Sequence, residues 1–300
     1  MRDSGVRHIG RLQRGVRPVV VTAALCVAMS ACSFSDEPDD GGAGQTPGAG
    51  RLDARTAAAL AAVEKATERA GSARVSSSSV MGDLLSMRTA GVLGWAGEPV
   101  GRLSITYTGG ELAESMRALN SSSMEARLLP DAYYAKVGDK FAAQMRGKHW
   151  IRYGYDDLAD LPGGSGTYLK DQLRNTAPIQ PVELLLASGD ARRAGTETVR
   201  GERTTHYSGT VDVAALADSA LRDQLVQAGV TTETVDIWVN DRNLLVKKVE
   251  QGELSSGRMS STAYYSAYGV KATVKAPEGG DTADFKDLLG NSGASSASPG

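Results

Sequence analysis

Cysteine is nearly absent: Cys26 and Cys32 are the only two in 300 residues. Both fall in the first forty positions, so the remaining chain must hold its shape without a disulfide. Histidine is also scarce, and of three only His149 and His206 lie beyond residue 31. Neither stands in metal-ligand spacing with a cysteine or a second histidine, and no cofactor is expected. Aromatic residues make up 5% of the chain, and the formal net charge is −2. With no basic cluster and interleaved aromatics, nucleic acid is not an expected partner. No nucleophile–base set is visible either. "GGSGTY" at residues 163–168 lacks the spacing of a nucleophile elbow and the lysine of a phosphate loop. Asp156 and Asp157 read as a solvated turn. The chain is not expected to be an enzyme.

What is present begins at the N-terminus. Arg2, Arg7, Arg11, Arg14 and Arg17 stand against a single Asp3. The run Val19 to Met29 is then apolar but for Thr22. Eleven residues cannot cross a bilayer as a helix, which needs about 20. A basic head and a short apolar run are the pattern of a secretory signal peptide. "MSAC" closes it, with Ser30 and Ala31 directly before Cys32. This resembles the lipobox of bacterial lipoproteins, which implies a signal over 1–31 and a lipidated Cys32 as the first residue after cleavage. Cys26 follows the bulky Leu25 and reads as an inert residue of the signal. The alternative is an ordinary secreted protein with Cys32 as a free thiol. Cleavage removes five arginines and one aspartate and moves the net charge from −2 to −6.

"SDEPDDGGAGQTPGAG" then reads as a flexible tether over 32–51. A single domain is expected over 52–290, and "GNSGASSASPG" marks a disordered tail over 291–300. The lipobox reading places this domain outside the cytoplasm, held to the outer face of the cell membrane by its lipid.

Inside the domain, an Ala-rich helix is expected over "LDARTAAALAAVEKATERAGS", capped by Asp53 or Thr56 and stopped by Gly71. "GRLSITYTGG" alternates, with Leu103, Ile105 and Tyr107 on one face. "DAYYAKVGDKFAAQMRGKHWIRYGY" suggests a hairpin in which Tyr133, Ala135 and Val137 share a face and Trp150 and Ile151 point opposite ways. The segment Asp156 to Gln180 is polar, Gly- and Pro-rich, and suits a mobile lid. "PVELLLASG" is a short helix with Pro181 in its first turn. Strand–turn–strand follows around Arg200 to Arg203, then a helix ending at Gly229. A hairpin turns at Asn240 to Asn243, with Val235, Ile237 and Val239 on its inner face. A final strand is expected where Val270, Ala272, Val274 and Ala276 alternate with Lys271, Thr273 and Lys275.

The ordered series "GTETVRGERTTHYSGTVDV", "VDIWVNDRNLLVKKVE", "YYSAYGVKATVKAPEG" and "DFKDLLG" resembles the LppX/LprG family of mycobacterial lipoproteins, relatives of the LolA carriers. The resemblance covers Asp53 to Leu289 and the lipobox; the Gly-rich stretch Pro162 to Gly166 departs from it. It implies an α+β fold: a strongly curved antiparallel sheet, or half-barrel, with helices on its concave face and an apolar cavity between. It also implies a lipid or acylated glycolipid as ligand. Apolar strand residues opposed by polar neighbours are the candidate cavity wall. They are Leu103, Ile105 and Tyr107, then Tyr133, Val137 and Ile151, then Val235, Ile237 and Val239. The expected partners are that ligand and the membrane, with a membrane transporter as a further, unidentified one. Two readings compete: a lipid-binding or lipid-transfer lipoprotein, and an envelope lipoprotein using the same fold as a sensor or protein-interaction module.

Overall fold

The computed structural model describes residues 52–159, 178–217, 219–227, 229–254 and 257–294. The signal over 1–31 and the tether over 32–51, with Cys26 and Cys32, lie outside the described residues. So do the Gly-rich stretch 162–166 and most of the expected lid, residues 160–177.

The chain opens with α1 (Ala54–Ala70). Asp53 caps it by accepting the Arg55 and Thr56 backbone N–H groups at 3.0 Å each. The Thr56 hydroxyl adds a bond at 2.6 Å, and this side-chain bond is the largest influence holding the Asp53 carboxyl below its usual range. Gly71 ends the helix in the left-handed region, φ +67, where a glycine carries no Cβ penalty. Next come β1 (Ser72–Met81), β2 (Leu85–Gly94), β3 (Val100–Gly109) and α2 (Gly110–Ala118). They are followed by β4 (Ser123–Leu128), β5 (Ala132–Lys136), α3 (Asp139–Gln144), β6 (Trp150–Gly154) and α4 (Tyr155–Ala159). Beyond residue 177 stand α5 (Gln180–Ser188), β7 (Arg192–Val199), β8 (Glu202–Asp212) and α6 (Ser219–Gln227). The chain ends with β9 (Val230–Asn240), β10 (Leu245–Leu254), β11 (Gly257–Ser266), β12 (Thr282–Asp284) and α7 (Phe285–Ala294). The last helix includes residues 291–294, which the sequence placed in the tail.

All twelve strands form one open sheet in the order β12-β6-β5-β4-β3-β2-β1-β11-β10-β9-β8-β7. Every pairing is antiparallel except that of β12 with β6. The expected all-antiparallel sheet is therefore corrected at one edge. The reason is the route of the chain. After β11 it does not turn back beside its neighbour but runs to the far edge and adds β12 in the same direction as β6.

That route also overturns the expected final strand. Residues 270–276 pair with no strand, and Ala276, expected on the inner side, is exposed. The Ser72 hydroxyl donates to the Val270 carbonyl at 2.6 Å, and Arg127 donates to the Lys275 carbonyl at 3.0 Å. Their alternation records a strap with one side against the sheet: Val270, Ala272 and Val274 are half-buried while Lys271, Thr273 and Lys275 are exposed. The strand that does pair, β11, has the sequence GRMSSTAYYS, and its serines gave no apolar alternation.

The helices pack on one face of the sheet. Two apolar clusters lie there. The first joins Leu60 and Val63 of α1 and Val182, Leu184 and Leu185 of α5 to Val235, Ile237 and Val239 of β9. The second joins Ala113 and Met116 of α2 to Tyr107, Met124, Tyr133, Ile151 and Tyr153, with Phe285 of α7. Burial of a large aliphatic side chain contributes about 1.5–3 kcal/mol, so these clusters are the main stabilising masses. The opposite face holds two smaller patches, around Trp150 and Tyr134 and around Trp238 and Val246. As expected, Trp150 and Ile151 point to opposite faces.

Candidate functional site

Register fixes which side chains share the helical face, because directly paired residues point the same way. One row crosses six strands: Ile105, Thr89, Ser77, Ala263, Lys248 and Ile237. The next row is Tyr107, Met87, Ser79, Ser261, Glu250 and Val235. Both rows are apolar at their ends and polar in the middle. Ser77, Ser79, Thr89 and Ser261 are half-buried, and the Ser79 and Ser261 hydroxyls lie 3.2 Å apart. On the α2 side the strip is flanked by half-buried Met81, Met87, Leu103 and Ile105, all packed against the second cluster. Val75 and Met259, at opposite ends of the strip along the strands, pack against the first.

The nine candidate wall residues all lie on this face but not at one place. Leu103, Ile105, Tyr107, Tyr133, Val137 and Ile151 belong to the second cluster. Val235, Ile237 and Val239 belong to the first, under α5. A pocket opens between α2, α3 and β4–β6, lined by Met116, Met124, Val137, Phe141, Ile151 and Tyr153 among others. Its cavity volume is about 20 Å³, room for about one water. Ser121 also lines it, and its buried hydroxyl has no hydrogen-bond partner. The Tyr107 hydroxyl donates to the Met124 sulfur at 3.4 Å. Burial pushes the Tyr133 and Tyr153 phenols well up, so both stay neutral.

A charged group that the sequence did not single out sits in the same face. Lys248 Nζ donates to both oxygens of Glu250, each at 2.8 Å. The two side chains are 16% and 10% exposed. Glu233, on β9, is 3% exposed and its Oε2 has no partner. Desolvation first, then the Glu250 charge, pushes its carboxyl up to about 8, against an opposing pull from Lys248. Lys248 is held well above the ordinary lysine value by Glu250, although burial works against it. In the sequence, "VKKVEQGEL" at residues 246–254 carries Lys248 and Glu250 but not Glu233. Only the cross-strand register shows that Lys248 pairs with Ile237 and Glu233 with Gly252.

A second depression, of about 650 Å³, is open and polar, lined by Glu98, Asp131, Arg152, Asp156 and Asp157 among others. Arg152 bridges Asp284 at 3.0 Å and Asp131 at 3.3 Å there, and the place does not suit an acyl chain. The two histidines have structural partners. His206 Nε2 lies 2.7 Å from Asp236 and its ring stacks on Trp238 at 4.3 Å. His149 Nδ1 lies 2.8 Å from Asp281. Among the described residues no group of three or more His, Cys, Asp or Glu could hold a metal ion. No helix there is long and apolar enough to cross a membrane.

No family model matches the chain. Putative lipoprotein SCO4650 of Streptomyces coelicolor is 49% identical over 296 residues, covering 94% of this chain and 98% of that protein. A 31.2 kDa protein from the rplA-rplJ intergenic region of Streptomyces griseus is 48% identical over 248 residues, covering 79% of this chain and 81% of that protein. Among solved structures, LprF from Mycobacterium bovis matches with a TM-score of 0.50 at 16% identity, over 77% of this chain and all of that one. LppX from Mycobacterium tuberculosis matches with a TM-score of 0.47 at 16% identity, over 73% of this chain and 97% of that one. At such identity the likeness to LprF is one of fold. By its sequence the chain belongs to the family of the Streptomyces coelicolor protein SCO4650, and its open α+β sheet has the fold of the mycobacterial lipoprotein LprF.

Proposed function

We propose that this protein is a lipoprotein anchored through Cys32 to the outer face of the cell membrane, and that it binds or transfers lipids on the helical face of its sheet. The observation that carries the reading is the band of half-buried apolar side chains there. Met87, Leu103 and Ile105 project from strands whose other face is largely exposed, yet they are not fully covered. A core would close over such residues; a surface that takes an acyl chain leaves them accessible. Each CH₂ removed from water contributes about 0.8 kcal/mol, so length and apolarity suffice for binding without specific polar contacts. The lipoprotein relative and the LprF fold support the reading.

Incubating the protein with a fluorescent acyl probe tests it. Saturable uptake, with the lipid recovered unaltered, is expected. A lipid returned hydrolysed would favour an enzyme instead.

A second reading is favoured by one observation. Among the described residues, the pocket beside α2 and α3, at about 20 Å³, is far below the several hundred Å³ of a ligand cavity. A sensor or protein-interaction module with a filled core would look like this. Absence of uptake at any probe concentration decides for it.

A further inference from the structure

The face of the sheet turned away from the helices carries an array of cations that no local run in the sequence encodes. Arg74, Arg88 and Arg102 stand on β1, β2 and β3, and the register gathers them there. Arg74 pairs with Val92 and Val92 with Arg102, while Arg88 lies between Ser78 and Thr106. All three are exposed. The turn between β7 and β8 adds Arg200, whose guanidinium lies 3.7 Å from the centre of the Tyr264 ring and 3.4 Å from the Ser76 hydroxyl. The strap over 270–276 crosses the same face, since Ser72 and Arg127 bond its carbonyls and a Cβ on Gly94 would meet Ala272. It holds Lys271 and Lys275 exposed. Across β11, β1, β2, β3 and β4, the three rows through Arg74, Ser76 and Ser78 contain one carboxylate, Glu125. Arg102 and Arg127 share it at 2.9 Å each. Among the described residues Arg74, Arg88, Lys271 and Lys275 form no ion pair.

We propose that this outer face docks on an anionic membrane surface, with its cations against the phosphate headgroups and the helical layer turned away. The proposal goes beyond lipid binding on the helical face and does not rest on it. The cations are spread over three strands, a hairpin turn and the strap, and neither pocket described above opens beneath them. They therefore match a broad charged plane better than a single bound anion. The rest of the body is acidic: the net charge of −2 becomes −6 without the five arginines and one aspartate of residues 1–31. An anionic surface attracts this face and repels the remainder, which fixes the orientation of the domain. Each Lys or Arg near such a surface favours contact about fivefold. The segment 32–51 can reach up to about 65 Å at full extension, so an anchor at Cys32 permits the outer face to lie on the bilayer.

The test uses the protein purified from its own membranes, placed in vesicles of neutral phosphatidylcholine or of phosphatidylcholine mixed with anionic phosphatidylglycerol. A fluorophore is attached at Ser104→Cys on the outer face or, as a control, at Ala58→Cys on α1, both exposed positions. A lipid with a nitroxide on its headgroup is the quencher. Quenching at position 104 is expected to be at least about threefold greater in anionic than in neutral vesicles. It should fall to the neutral level at about 1 M salt, where charges are screened within about 3 Å. The control at position 58 should stay unquenched in both. The pair Arg74→Gln and Arg88→Gln is expected to lower the contact equilibrium about 25-fold and so abolish the difference, with the circular dichroism spectrum unchanged. Should that pair fail to fold, Lys271→Gln with Lys275→Gln on the strap is expected to give the same loss. Equal quenching at position 104 in the two vesicles overturns the proposal. So does quenching at position 58 that matches it, or contact that survives the loss of these cations. Each of those results leaves lipid binding on the helical face standing, because acyl uptake is read separately.

Discussion

Replacing Glu233 by Gln removes a proton-linked cost from the folded state. Glu233 is 3% exposed, lies on the helical face with Glu250 and Lys248, and leaves one carboxylate oxygen without a partner. Its carboxyl is pushed up to about 8, from an ordinary 4.5. The folded state therefore keeps a proton that the unfolded chain has lost between those two values. Stability from this group is complete below pH 4.5, falls as pH rises toward 8, and is flat above. At pH 7 the loss is about 3 kcal/mol, since each tenfold difference in proton affinity between the two states is worth about 1.4 kcal/mol. Glutamine keeps the shape and cannot ionise, but its amide is no better satisfied, so about 2 kcal/mol of net stabilisation is the expected gain. Urea unfolding of wild type and Glu233→Gln at pH 5, 7 and 8.5 reads this directly. At pH 7 the variant's midpoint should rise by about 1 M, taking a urea slope near 2 kcal/mol/M. At pH 5 the two should nearly coincide, because both side chains are then neutral in the fold. Taking the difference between the two proteins cancels the titrating groups that do not interact with Glu233, leaving Glu233 and its neighbours Glu250 and Lys248. A difference that does not change with pH refutes the reasoning, whatever its size.

Position matters for the apolar candidates. Ile237 is fully buried under α5, so Ile237→Ala should cost about 2–5 kcal/mol in chemical denaturation. Ile105 is only half-buried, so Ile105→Asp should fold and lose at least tenfold in acyl-probe affinity by fluorescence titration. A Cβ at Gly91 would sit 2.0 Å from the Arg102 carbonyl oxygen across β2 and β3. Gly91→Ala should therefore disturb that pairing and lower the melting temperature by several degrees. Cys32→Ala should release the protein from the membrane fraction and remove the lipid mass, while Cys26→Ala should leave processing unchanged by mass spectrometry.

The parts of the fold legible in the sequence were those where burial imposes a period. β3 alternates because Leu103, Ile105 and Tyr107 face the helices while Arg102, Ser104 and Thr106 face water. α1 and α5 announce their ends by Asp53, Gly71, Pro181 and Gly189. β1, β2 and β11 passed unnoticed because the helical face is polar at their centre. A strand such as "SARVSSSSVM" has its apolar side, Ala73, Val75 and Met81, interrupted by Ser77 and Ser79. The segment Val270 to Ala276 erred in the other direction, since lying against a sheet gives the same alternation as pairing within one. The charged trio escaped for a further reason. Lys248 and Glu250 are two residues apart, but Glu233 meets them only through the β9–β10 register, which no local pattern encodes.

The central claim is that the helical face of this sheet carries lipid, and native mass spectrometry of the protein purified from its own membranes tests it most directly. The account predicts a body with bound lipid mass beyond its anchor, released intact on activation and greatly reduced in Ile105→Asp. A body that carries no lipid beyond its anchor, in wild type and variant alike, would contradict it.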